Sequence, residues 1–170
     1  MQKIKLFSSV KVRVLFFMFG LLGCGLIFYM SAEPAVVSTE RSSSLSYTLL
    51  KLVMPDFETL GETRQTELAK TTEHVLRKGA HFCIYMTLGI SACLFSMCFA
   101  SSGQTHFFRS FAFCFLFAVG DEWHQWFVPG RAARGSDILL DSAGALCGIL
   151  LILYATKFWL RRKNAFHQNR

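Results

Sequence analysis

The sequence predicts an all-α integral membrane bundle of about four transmembrane helices, with one long extracytoplasmic segment between the first and second. Three observations lead there. The 170 residues are 52% hydrophobic and only 17% charged, where a soluble domain carries about a quarter charged. One small core cannot hide that much apolar surface. The apolar residues are also blocked together. Finally, the basic residues gather at the two ends, Lys3, Lys5, Lys11 and Arg13 at one and Lys157, Arg161, Arg162, Lys163 and Arg170 at the other, with no acid in either tail. Each cluster abuts an apolar span, so the net charge of +7 reads as membrane orientation and not as nucleic-acid binding. The length suits one domain, 1–170.

The first span covers 14–30. A cleaved signal peptide and a lipoprotein signal ending at Leu21-Leu22-Gly23-Cys24 compete with a retained helix. No A-x-A cleavage pattern follows, and the chain stays apolar through Met30, so a retained helix with an unmodified Cys24 is expected. Residues 31–78 hold seven of the eleven acids: Glu33, Glu40, Asp56, Glu58, Glu62, Glu67 and Glu73. The Ser-rich stretch 31–46 reads as loop. Residues 45–54 are apolar with one Lys and suit a short interfacial amphipathic helix, interrupted by Pro55. Residues 63–78 read as a helix with Leu68, Val75 and Leu76 on its apolar edge, running directly into the second span at 79–100.

A short connection, 101–109, leads into the third span at about 107–128. Pro129-Gly130 forces a turn, and Gly135-Ser136 offers a helix start. The fourth span, 137–160, carries Gly144-x-x-x-Gly148, which suits close packing of helices within the chain. All six cysteines lie in apolar runs without metal-site spacing, so they are expected to pack as small hydrophobes, free of disulfides. Two basic tails and an even number of spans put both termini in the cytoplasm and leave 31–78 and 129–136 outside. Arg131 and Arg134 in the outer loop oppose this, but the tails outweigh them.

With that topology the ionisable groups of three spans meet in one outer layer: Lys78, His81 and Tyr85 from the second, Asp121, Glu122 and Gln125 from the third, Asp137 and Asp141 from the fourth. Asp121 lies roughly 12 Å below the Pro129 turn at helical rise. His81 and Tyr85, Asp121 and Gln125, and Asp137 and Asp141 are each i,i+4 and share a helix face. A carboxylate facing lipid costs about 2.5 kcal/mol or more at mid-membrane, so these groups should face the bundle interior. Glu122 is expected to share that interior with His81 and Tyr85, and Asp121 to pair with Arg131 or a helix start.

Three readings of the layer stand open. It is a structural polar network; or a binding site in which Arg131 holds a phosphate or carboxylate of an amphiphile; or a hydrolase or transferase with Asp121 or Glu122 as general base and His81 as acid partner. No Gly-x-Ser-x-Gly supports the last. His81, His124, Asp121 and Glu122 match metal-ligand spacing only loosely, and neither a metal nor another cofactor is expected. His74, His106 and His167 read as surface residues, and Trp123 and Trp126 as interface anchors.

The strings Lys78-x-x-His81-Phe82-x-x-Tyr85-x-x-Leu88-Gly89, Asp121-Glu122-x-x-Gln125-x-Phe127-x-Pro129-Gly130-Arg131 and Asp137-x-x-x-Asp141-x-x-Gly144-x-x-x-Gly148 together resemble the VanZ-like family. The run Ser31-Ala32-Glu33-Pro34-Ala35 is similar to that family's Ser-Ser-x-Pro-Ala segment. Asp141 departs from the pattern, since the family usually has Asn there. The family's name comes from a member linked to resistance to the glycopeptide teicoplanin. The resemblance implies a membrane protein of the cell envelope, with membrane lipids and a glycopeptide or lipid-linked cell-wall precursor as partners and no nucleic acid.

Overall fold

The computed structural model describes residues 9–168, with side chains through Ala165; Lys3, Lys5, Arg170 and the side chain of His167 lie outside them. The described chain is five α-helices and one 3₁₀ turn: α1 (Val10–Ser31), α2 (Ala35–Val53), the turn Phe57–Thr59, α3 (Glu62–Met97), α4 (Gly103–Gln125) and α5 (Gly135–Gln168). Three of these, Val10–Ser31, Glu62–Met97 and Gly135–Ala165, are long and apolar enough to cross a membrane. In α1 only 11% of the most apolar window is buried within the protein. Leu15, Phe17, Met18, Phe19, Leu21 and Leu22 all point outward, which water would not tolerate and lipid requires. The chain is an all-helical membrane protein.

α3 has 36 residues, about 54 Å of helix against a hydrocarbon core of about 30 Å. The helix is thus longer than a single crossing needs, and it runs unbroken through residue 79 as the pattern predicts. α4 is not among the three apolar helices, because Arg109, Asp121 and Glu122 interrupt its Phe-rich surface. It is held in the bundle by packing against α1, α3 and α5. It begins at Gly103, earlier than expected, because Ser102 caps it: the Ser102 hydroxyl accepts from Thr105 N at 3.1 Å.

The pair α3 and α5 forms the spine. A Cβ at Gly144 would strike the Phe82 carbonyl oxygen, one at Gly148 the Met86 carbonyl oxygen, and one at Gly89 the Ala145 backbone. The Gly144-x-x-x-Gly148 stripe thus serves contact within the chain, at a separation only hydrogen side chains permit. Beside it Tyr85, Leu88, Cys114, Ala118 and Ala145 pack with Ile27 of α1, with Cys24 at their edge. The six cysteines are free.

Two expectations fail here. Residues 35–46 are helical, not loop. Ser42, Ser46 and Thr48 each bond back to a carbonyl four residues earlier, at 2.7, 2.7 and 2.9 Å. That turns hydroxyls that usually compete with the helix into part of it. The stretch 45–54 is accordingly the end of α2, which stops before Pro55, and its Leu50 packs on Phe57 and Ala69. His106 is buried, not superficial, and its Nδ1 lies 3.0 Å from Ser96 Oγ, joining α4 to the end of α3.

Candidate functional site

The polar layer forms where α3, α4 and α5 converge under two connections, the α1–α2 junction and the α4–α5 loop. Its members arrive by helical spacing. On α3, Lys78 and His81 face α5, where Lys78 pairs with Asp137 and His81 Nδ1 lies 3.8 Å from Asp141 Oδ1. On α4, Asp121 and Gln125 sit one turn apart, and Gln125 Nε2 donates to Asp121 Oδ2 at 3.1 Å. The same oxygen accepts from Ser31 Oγ at 2.9 Å. The α4 helix ends at Gln125, so Asp121 lies about one turn inside its end, shallower than the sequence suggests.

Arg131 closes the layer from above. Its Nη2 donates to Met30 O at 2.8 Å, its Nε to Glu33 O at 2.9 Å and its Nη1 to Gln125 Oε1 at 3.4 Å. These bonds satisfy the Met30 carbonyl, which the end of α1 leaves without a helical partner, and the Glu33 carbonyl of the α1–α2 junction. The loop is fixed further by Ala35 N donating to Pro129 O at 3.2 Å. Gly130 takes φ +75°, with Ala35 pressed against the space a side chain would fill, so only Gly fits this turn without strain. Burial and the charge of Arg77 lower the Arg131 pKa, while Asp121, Glu33 and Glu122 raise it.

The expected division of the two acids is reversed. Asp121, not Glu122, shares the interior with His81 and Asp141: one ligand-type atom from each of the three lies within 4.8 Å of the others. Glu122 turns to the loop, where its Oε2 accepts from Arg134 N at 2.8 Å. The reason is angular. Asp121 stands on the Gln125 face of α4, and Glu122 is rotated by about 100° toward the start of α5.

Saturation is uneven. Asp121, Gln125 and Arg131 are well bonded. Among the described residues, Tyr85, wholly buried, has no partner for its Oη, and Asp141, equally buried, has none within hydrogen-bond distance for either oxygen. Tyr85 lies within electrostatic reach of Asp121, Asp141 and Glu122. Two ionised carboxylates within 4.8 Å would repel by about 3 kcal/mol even at an effective dielectric of ~20, so this corner calls for compensating positive charge or donors. Below it, an apolar groove of about 630 Å³ runs between α1, α3 and α4, lined by Phe17, Leu21, Phe95 and Phe113 among others. Cys24 and Leu88 line its upper end and also pack beside Tyr85.

The fold brings together His81, Tyr85, Asp121, Gln125, Asp137 and Asp141, with Lys78 and Arg131 at the rim. It leaves His124 outside, stacked on Phe28 at 4.6 Å between centroids. Trp123 and Trp126 are about 70% exposed and point away from the layer. Sequence reasoning overlooked Ser31, which it treated only as the start of a resembling segment. A Ser placed directly after the last residue of an apolar span was the available signal. It also overlooked Glu73, which pairs with Arg77 one turn later and accepts from Ser43 Oγ at 3.1 Å, fastening α2 to α3.

No curated protein and no solved structure matches the chain. A family model does: the VanZ/LLP1 model matches residues 15–159. That range contains every residue of the polar layer, from Ser31 to Asp141, and most of the chain. The protein therefore belongs to the VanZ/LLP1 family.

Proposed function

We propose that this VanZ-like protein crosses the membrane four times and binds the polar head of an amphiphilic envelope molecule in its outer layer. One observation carries the reading: Tyr85 Oη and both Asp141 oxygens are fully buried without a hydrogen-bond partner among the described residues. A purely structural network satisfies its members, because an unmade bond at a buried group costs about 1–3 kcal/mol. The groove below the layer supports an amphiphile, since a chain lying in it would leave a head group beside Tyr85. Arg131 is turned to carbonyls, so the groups with spare capacity are mainly acceptors. They suit a head rich in hydroxyl and amide donors, as in a glycopeptide or the sugar-peptide head of a lipid-linked wall precursor.

The orientation proposed places both termini in the cytoplasm and α2 and the α4–α5 loop outside. Cysteine labelling at Ser43 and Gln168 tests it: Ser43→Cys should react from outside intact cells, and reaction of Gln168→Cys would reverse it. Binding is tested with purified protein in nanodiscs and added lipoglycopeptide or lipid-linked precursor. Stoichiometric retention without turnover is expected. Turnover would instead favour a membrane-embedded hydrolase or transferase, for which Asp121 beside His81 supplies an acid/base pair. Neither retention nor turnover would leave the layer a structural network.

A further inference from the structure

We infer that His81, Asp121 and Asp141 form a site for one divalent cation of the Zn²⁺ or Mn²⁺ class, at the junction of α3, α4 and α5. This differs from the ligand set weighed on sequence spacing, because the fold substitutes Asp141 for His124 and Glu122. One atom from each of the three residues lies within 4.8 Å of the other two. His81 Nδ1 and Asp141 Oδ1 are 3.8 Å apart, too far for a hydrogen bond but within the span of two ligands each about 2.1 Å from one ion. The outer limit of the triangle closes by small side-chain rotations.

The donor set suits such a cation. One imidazole nitrogen and two carboxylates are borderline-to-hard ligands, and two negative charges balance a divalent ion. Asp141 is wholly buried and neither of its oxygens is hydrogen-bonded. Lys78, one turn before His81 on α3, is paired with Asp137 instead. Asp121 is held in place by outer partners, Ser31 Oγ and Gln125 Nε2, both on Oδ2, which leaves Oδ1 for an ion. Such outer bonds orient the ligands of a metal site. Independently of these three residues, Tyr85 Oη is fully buried with no hydrogen-bond partner among the described residues and lies within electrostatic reach of both Asp121 and Asp141, so a water or head-group oxygen on the ion would give it one. Three protein ligands leave further coordination positions open.

The ion would compete with head-group donors for the Asp141 oxygens; the inference does not rest on amphiphile binding, and its test needs no amphiphile. Untagged full-length protein in nanodiscs is stripped with a chelator, equilibrated with Zn²⁺ or Mn²⁺, desalted and assayed for metal content and thermal unfolding. One ion per chain and a raised Tm are expected. Asp141→Asn and Asp121→Asn should each weaken binding by more than about 100-fold, while the metal-free Tm of Asp141→Asn is unchanged or higher, because an unpaired buried charge is removed. Should Asp141→Asn not accumulate, His81→Gln gives the same reading. Absence of bound metal in the parent would overturn the site. So would metal that survives Asp141→Asn and disappears when the exposed Cys83 and Cys147 are changed to Ser, since thiols would then be the ligands.

Discussion

Arg131→Ala separates a loop cation that waits for a ligand from one that holds the fold. The guanidinium makes two good bonds to backbone carbonyls, at 2.8 Å to Met30 O and 2.9 Å to Glu33 O, and a long one of 3.4 Å to Gln125. A hydrogen bond to a charged group contributes about 1.5–3 kcal/mol. The residue is half-buried, so water can partly replace it, and the long bond counts for little. Together the two carbonyl bonds should contribute about 2–4 kcal/mol, against about 0–1 kcal/mol for an exposed ion pair. Arg64, whose pairing with Glu67 at 3.2 Å is more than 60% exposed on both sides, is the control. Thermal and denaturant unfolding of protein in detergent should show Arg131→Ala destabilised by about 2–4 kcal/mol and Arg64→Ala nearly unchanged. If Arg131→Ala unfolds like the parent, the clamp between the α1–α2 junction and the α4–α5 loop is not a stabilising element.

Other variants probe neighbouring links. Gly148→Val places a side chain against the Met86 carbonyl; separation of α3 and α5 should cost at least about 1–3 kcal/mol and lower membrane accumulation, read by quantitative blotting. Ser31→Ala removes the donor to Asp121 Oδ2 and should cost about 1–3 kcal/mol of unfolding free energy, whereas the exposed Ser44→Ala should cost almost nothing. The hydrogen bond and charge of Lys51 lower the pKa of the exposed Glu58. A depressed carboxylate contributes its full share above the ordinary Glu value and loses it as pH falls through the folded value. Amide protection of the turn Phe57–Thr59 should therefore fall on acidification in the parent and stay flat in Lys51→Met.

The membrane class and helix-packing stripe were legible because they depend on composition and period. Lipid demands long apolar blocks, and Gly144 and Gly148 advertise close approach at any register. The expectation that the ionisable groups of three spans share one layer came from i,i+4 spacing and depth alone. What spacing could not give was rotation. Asp121 and Glu122 are adjacent, so which of them faces α3 depends on how α4 is turned against α5, a tertiary choice. The first part of α2, residues 35–46, was read as loop because Ser is a weak helix former in isolation, yet here Ser42 and Ser46 bond within the helix and Ser43 bonds Glu73 on α3. Arg131 was read as a partner for Asp121 or for a ligand's anionic group because nothing in the sequence ties it to Met30 and Glu33, about a hundred residues earlier.

The ligand reading is tested most directly at Tyr85, a residue outside the inferred metal ligands. Binding of lipoglycopeptide or lipid-linked precursor to protein in nanodiscs is measured for the parent and Tyr85→Phe, with Tm recorded on the same samples. The Tyr85 hydroxyl has no protein partner, so its removal should leave Tm unchanged or slightly raised. One lost hydrogen bond to the ligand should weaken binding by about tenfold. A Tm lowered by several degrees with affinity unchanged would contradict the reading and make Tyr85 part of a structural network.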